Sequence, residues 1–356
     1  MKILYVEDEL SKNIPKIIKL FSKYLGNENI KELKTVEEDE YVASDEEIKT
    51  IVEKSNLIEV EYRFPNGLEK IINNYKKYAL FIIDRNLSNV EYDYDEIVAI
   101  DPNYNETLYD KFFEREGDYF LQKLVYTKID VMTKFYFLTA FAKSELRNAD
   151  EIKTHIDFGK FTYQNIIGKG EEERLKQIID NIEILNLQVE NKNYLDILRT
   201  KITEKTTLLF LDILSNKESD NDLDIIKNLG ALRLIFHKIL NLLAKSLEVK
   251  SYTDSRNGKE VAIFYGDSLN IRPFINWLSY YSQDLKVNSL IRNFLFGIQE
   301  ICSNFGLAHN ELEDDYKEEG IVFSESQPSG YQPTANSVNA LIYELKEIIL
   351  WFDEIS

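Results

Sequence analysis

A single cysteine, Cys302, leaves this chain of 356 residues without an intramolecular disulfide and without a multi-cysteine zinc site. Three histidines argue against a histidine-rich metal centre. No run of 18 apolar residues occurs, so no segment is expected to span a membrane. The first residues, MKILYVEDEL, carry one early lysine and then acids, unlike the basic and apolar regions of a signal peptide. A reduced, cytoplasmic compartment is the expectation. Glycine (13) and proline (6) are scarce, which favours helix over a turn-rich all-β fold. Basic residues are also in deficit, 43 against 62 acids, for a net charge of −19. The deficit is spread along the chain, with −8 over residues 1–169 and −11 over 170–356. Neither part offers the positive excess that a phosphate backbone demands, so no DNA-binding output is expected.

What is present is a hydrophobic rhythm that changes midway. Ile3–Val6 reads as a short buried strand stopped by Glu7-Asp8-Glu9, and Ile14, Ile17, Ile18, Phe21 and Leu25 recur at helical spacing. Leu57–Phe64 alternates like a strand, Pro65-Asn66-Gly67 reads as a turn, and Leu68, Ile71, Ile72 and Tyr75 mark a helix. ALFII (79–83) is a continuous apolar strand ending at Asp84. Phe120, Leu121, Leu124 and Val125 suggest a helix, Phe135–Leu138 a strand delivering Thr139, and Asn165–Ile167 a strand delivering Gly168-Lys169. Such β/α alternation predicts a doubly wound parallel sheet of five strands. Beyond Lys169 the spacing is helical, near 193–214, 222–247, 270–283, 286–305 and 335–354. One β-hairpin is expected around Asn257-Gly258. The fold class is therefore α/β followed by all-α, with a domain over 1–187 and a helical domain over 188–356.

Ligands of a doubly wound sheet sit outside the carboxyl ends of its strands. Four predicted strand ends deliver Glu7 and Asp8, Asp84, Thr139 and Lys169. Carboxylate oxygens suit Mg²⁺, an ammonium and a hydroxyl suit phosphoryl oxygens, and a carboxylate can be a nucleophile. The set ILYVEDE (3–9), LFIIDRNL (80–87), FLTA (137–140) and IIGKG (166–170) resembles the receiver domain of two-component response regulators. Gly117 fits the glycine that opens that family's third helix. The resemblance implies that Asp84 accepts a phosphoryl group. It implies Mg²⁺ held by Glu7, Asp8 and Asp84 with the backbone carbonyl of Asn86. Thr139 would close on the phosphoryl group and Lys169 would pair with it. The donor would be a histidine kinase or phosphotransfer protein, and the helical part would bind a protein partner. The alternative for Asp84, Glu7 and Asp8 is that they cap helices.

The chain departs from that family at three places. Gly170 replaces the proline that follows the lysine, Ser88-Asn89 replaces the proline after the acceptor, and Ile166 occupies the aromatic switch position, with Tyr163 nearby. Two acidic insertions are expected as irregular excursions. Residues 26–56 include EEDEYVASDEE (37–47) and fall, by topology, at the end of the sheet opposite the rim. Residues 90–116 hold nine acids and four tyrosines and rise from the rim, and three readings stay open for them: a shield over Asp84, a dock for a kinase, or an ordinary surface excursion.

In the helical part, ICSNFGLAHN (301–310) and the helix after it resemble HEPN or abortive-infection C-terminal domains. Gly306 and His309 match, but Cys302 and Ser303 stand where that family's Arg-Asn pair would be, so the cation for RNA cleavage is missing. Arg233 and His237 share a helical face amid leucines and are expected as a packed pair. Trp277, Tyr280 and Tyr281 are expected in core or interface. Three further readings stay open: an unphosphorylated pseudo-receiver scaffold, a HEPN-like RNase, and a Toprim-like nuclease built on Glu7 and Asp84.

Overall fold

The computed structural model describes residues 1–38, 43–139, 150–168, 170–282, 285, 287–305 and 333–356. The chain divides into a unit Met1–Asn186 and a unit Leu187–Ser356. The first holds a sheet of five parallel strands, β1 (Lys2–Val6), β2 (Ile58–Glu61), β3 (Tyr78–Ile83), β4 (Phe135–Thr139) and β5 (Ile166–Gly168), in the order β2-β1-β3-β4-β5. The central strands are apolar along nearly all of their length because helices cover both faces. Leu4, Val6, Phe81, Ile83, Phe135 and Phe137 join one core with Phe64, Leu68 and Ile71 of the helix Phe64–Asn74 and Phe120 and Leu124 of the helix Glu116–Val125. The pleat turns Tyr5 the other way, edge-on to Phe21 of the helix Ile14–Leu25, with ring centroids 5.4 Å apart.

Both acidic insertions are more ordered than their composition suggests. Helices Asn27–Glu38 and Asp45–Glu53 fill most of 26–56, burying Leu33, Ile48, Ile51 and Val52. The second of them starts at the rim: Ser11 N donates to Asp45 Oδ1 at 2.8 Å. The expectation that this insertion stays at the opposite end is thus corrected, since a helix leading from α-helical Leu25 must be followed by one returning to β2. Residues 90–116 form helices Tyr94–Ile100 and Glu106–Phe112. Most of their aromatics pack in or against the core, with Phe64 ringed by Tyr92 at 5.3 Å and Tyr104 at 6.5 Å. Acids on the outer face hid an inner face spaced for packing. Pro65-Asn66-Gly67 likewise opens a helix, because proline in the first turn sacrifices no intrahelical donor.

The second unit is helical: Lys192–Lys201, Glu204–Asn216, Asp222–Ser246, Ile271–Tyr280, Ser289–Phe305 and Ala335–Ile355. Thr203 divides the expected 193–214 helix, its hydroxyl accepting from Thr206 N at 3.2 Å as an N-cap. Asp222–Ser246 is central, packed by Glu204–Asn216, Ser289–Phe305 and Ala335–Ile355, which explains why it is apolar on nearly every side. Among the described residues two hairpins occur rather than one, Ser251–Thr253 with Glu260–Ala262 and Phe264–Tyr265 with Ser268–Leu269. The second is too short to leave an alternating pattern in the sequence.

Candidate functional site

Register sets the site. Val6 pairs with Ile83 across β1 and β3, so the next residues, Glu7-Asp8 and Asp84, emerge side by side at the strand ends. This is where the strand order reverses, the place at which doubly wound sheets bind ligands. The backbone continues the ladder there, with Asp84 N donating to Val6 O at 2.8 Å and Glu7 N to Glu61 O at 3.0 Å. One ligand atom each from Glu7, Asp8 and Asp84 lie within 4.8 Å of one another. They line a cleft of about 200 Å³, together with Asn86 and Asn89 of the loop after β3 and Thr139 at the end of β4. Lys169 lies outside the described residues, as do Gly306 and His309.

The cluster is partly fixed by hydrogen bonds. Asp84 Oδ1 accepts from Arg85 N at 2.6 Å, and Asp8 Oδ2 accepts from Asn89 N at 2.8 Å. Glu7 Oε2 accepts from Tyr5 Oη at 3.2 Å and pairs with Lys16 Nζ at 3.5 Å. Burial, with the charges of Glu7 and Asp8, pushes the Asp84 carboxyl up to about 8. Burial also raises Glu7 and Asp8 above the usual carboxylate range. Three hard oxygen donors that repel one another when charged are a donor set that a divalent cation fits.

The loop carrying Asp84 is clamped from one side. Arg85 donates through Nε and Nη2 to Asp118 Oδ1 and Oδ2 at 2.9 and 2.8 Å, a bidentate pair out of water. Leu87 N donates to Glu116 Oε2 at 3.0 Å, and Gly117 N to Arg85 O at 2.9 Å. A Cβ on Gly117 would lie 2.5 Å from Asp84 O and 2.8 Å from Arg85 Cα, so only glycine permits this approach.

Sequence reasoning missed Lys16, Asn89 and this clamp. Lys16 follows Pro15 in the first turn of the helix after β1, a signal of position only. Glu116 closes the expected excursion 90–116 and Asp118 carries no signal of its own in the sequence, yet both are buried. Among the residues of the insertion 90–116, none lines the cleft, so it does not shield Asp84 in this structure. Gly170 has φ +92, a conformation closed to proline, which accounts for the missing proline there. Ile166 is buried in β5 opposite Phe137, and Tyr163 is half-buried against the same core.

No family model, no curated protein and no solved structure matches the chain.

Proposed function

We propose that the first unit is a receiver-like module that accepts a phosphoryl group on Asp84 and relays its state through the helical unit to a protein partner. The observation that carries this reading is the meeting of Glu7, Asp8 and Asp84 at adjacent strand ends, with Thr139 of the next strand in the same cleft. The strand order β2-β1-β3-β4-β5, the glycine forced at 117 and the four motif positions support it.

Asp84 attacks the phosphorus of a phosphohistidine. An O–P bond forms as the donor's N–P bond breaks, and the imidazole leaves with the electron pair and takes up a proton. Mg²⁺ held by Glu7, Asp8 and Asp84, with the Asn86 carbonyl, would supply charge neutralisation for the phosphoryl oxygens. Thr139 donates its hydroxyl to a phosphoryl oxygen, and Lys169 pairs with another. Lys16, 3.5 Å from Glu7, opposes part of the upward shift that burial gives that carboxyl. Hydrolysis of the acyl phosphate by water restores Asp84. The donor is a histidine kinase or phosphotransfer protein, and the compartment is the cytoplasm.

Intact-protein mass after incubation with phosphoramidate or acetyl phosphate and Mg²⁺ tests the reading. One phosphoryl group is expected in the wild type and none in Asp84→Ala or with EDTA. Absence of label on folded wild-type protein would leave the pseudo-receiver scaffold as the better account.

A further inference from the structure

The helical unit carries a second cavity, of about 570 Å³, beside the first hairpin turn and the helices Ile271–Tyr280 and Ser289–Phe305. We propose that it binds a nucleotide, with the base against its tyrosines and the phosphates against Arg256 and Arg272.

In a chain of net charge −19, the described residues that line this cavity include two arginines and no carboxylate. Guanidinium forks match phosphate oxygens in geometry as well as charge. Three tyrosines, Tyr252, Tyr280 and Tyr281, line the same space, and every nucleobase offers a π-face to an aromatic ring. Asn276 adds an amide that can serve a base edge or ribose. The volume falls within the range of about 300–1,000 Å³ of small-molecule pockets, which suits one nucleotide rather than a strand.

The rim is organised in advance. Buried Asp254 accepts from Arg256 Nε at 3.1 Å and Nη2 at 3.0 Å, and from Tyr281 Oη at 3.2 Å. Ser255 N donates to Tyr281 Oη at 3.0 Å, and the Tyr252 and Tyr281 rings sit 4.7 Å apart. One carboxylate thus fixes a cation and an aromatic side by side. Arg256 keeps most of its side chain open to solvent, and so does Arg272, which pairs with Glu300 at 3.1 Å. Tyr280 is 63% exposed, with the Arg292 guanidinium 5.6 Å from its ring centre. Tyr280 therefore lies outside the core, and Tyr281 is half-buried.

The test is calorimetric titration of the full chain in EDTA, which keeps metal-bound nucleotide away from the acidic cleft. The probes are ADP, GDP, adenosine and inorganic phosphate. Saturable binding of ADP or GDP is expected, with adenosine and phosphate each at least tenfold weaker. Arg272→Gln and Tyr280→Ala alter exposed side chains, so both should fold with unchanged melting and weaken nucleotide binding about tenfold. The proposal is overturned if neither nucleotide binds folded protein at millimolar concentration, or if both variants bind as well as wild type. It is equally overturned if phosphate or adenosine alone binds as tightly as the nucleotides.

Discussion

Among the buried acids of the first unit, two sets differ in how their charge is met. Glu61, at the end of β2, lies 2.8 Å from Lys49 and 3.7 Å from Lys70. Asp118 is gripped bidentately by Arg85, and Asp101 is paired with Lys123 and accepts from Tyr119 at 2.6 Å. A few residues away, Glu7, Asp8 and Asp84 face one another, with Lys16 at the edge of the group. Matched charge fixes loops and helices in place. Crowded like charge raises the cost of the empty cleft and lowers the cost of whatever cation enters it. Asp84 and Arg85 are neighbours in sequence yet belong to opposite groups, one turned to the cleft and the other to the helix Glu116–Val125.

The largest stability effect should come from the matched group. Asp118→Ala removes the bidentate partner of a buried guanidinium, which typically costs about 3–5 kcal/mol. Urea unfolding followed by circular dichroism would measure it. A loss near that of an exposed pair, under about 1 kcal/mol, would mean that the clamp does not hold the loop.

The crowded group should respond with the opposite sign. The folded Asp84 carboxyl is raised to about 8 from a value near 4, so its ionisation works against the folded state as pH rises through that window. In metal-free buffer at pH 8, Asp84→Asn should therefore melt several degrees higher than wild type. Saturating Mg²⁺ should raise the wild type by a comparable amount, up to about 2–3 kcal/mol at a hundred times Kd, and leave Asp84→Asn nearly unmoved. If Asp84→Asn destabilises like Asp118→Ala, the contrast between the groups is broken.

A smaller, pH-borne effect belongs to the helical unit. His237 is buried on the central helix, and burial together with the charge of Arg233 holds it down to about 3. The unfolded histidine titrates near 6.5, so protons bind the unfolded chain first and stability falls as pH drops from about 6.5 towards 3. Between pH 6.5 and 4.5 the wild type should lose on the order of 2 kcal/mol more than His237→Gln. Equal slopes for the two proteins would mean that His237 takes up its proton in the folded chain as readily as in the unfolded one.

Much of this was legible in the residue order, and what was not has physical causes. The apolar strands and the acids at their ends could be read because parallel strands buried on two faces leave continuous apolar runs. The register that brings Glu7 and Asp8 beside Asp84 is not written in any local pattern; it arises from pairing between segments some 75 positions apart. The insertions misled because burial there is carried by isolated residues such as Ile48 and Tyr104 amid acids, so average composition hid a core-facing stripe. The Arg85–Asp118 clamp joins residues 33 apart and could not be told from surface charge. Gly117 was the exception, a single glycine whose position could be matched and whose necessity the close approach to Asp84 explains.

The most direct test of the central claim is to locate the phosphoryl group itself. Borohydride reduction of protein labelled with phosphoramidate and Mg²⁺, followed by peptide mapping, converts an aspartyl phosphate to homoserine and marks the acceptor. Homoserine at position 84, with Glu7 and Asp8 unmodified, is the predicted result. Label on another side chain, or none on folded protein, would contradict it.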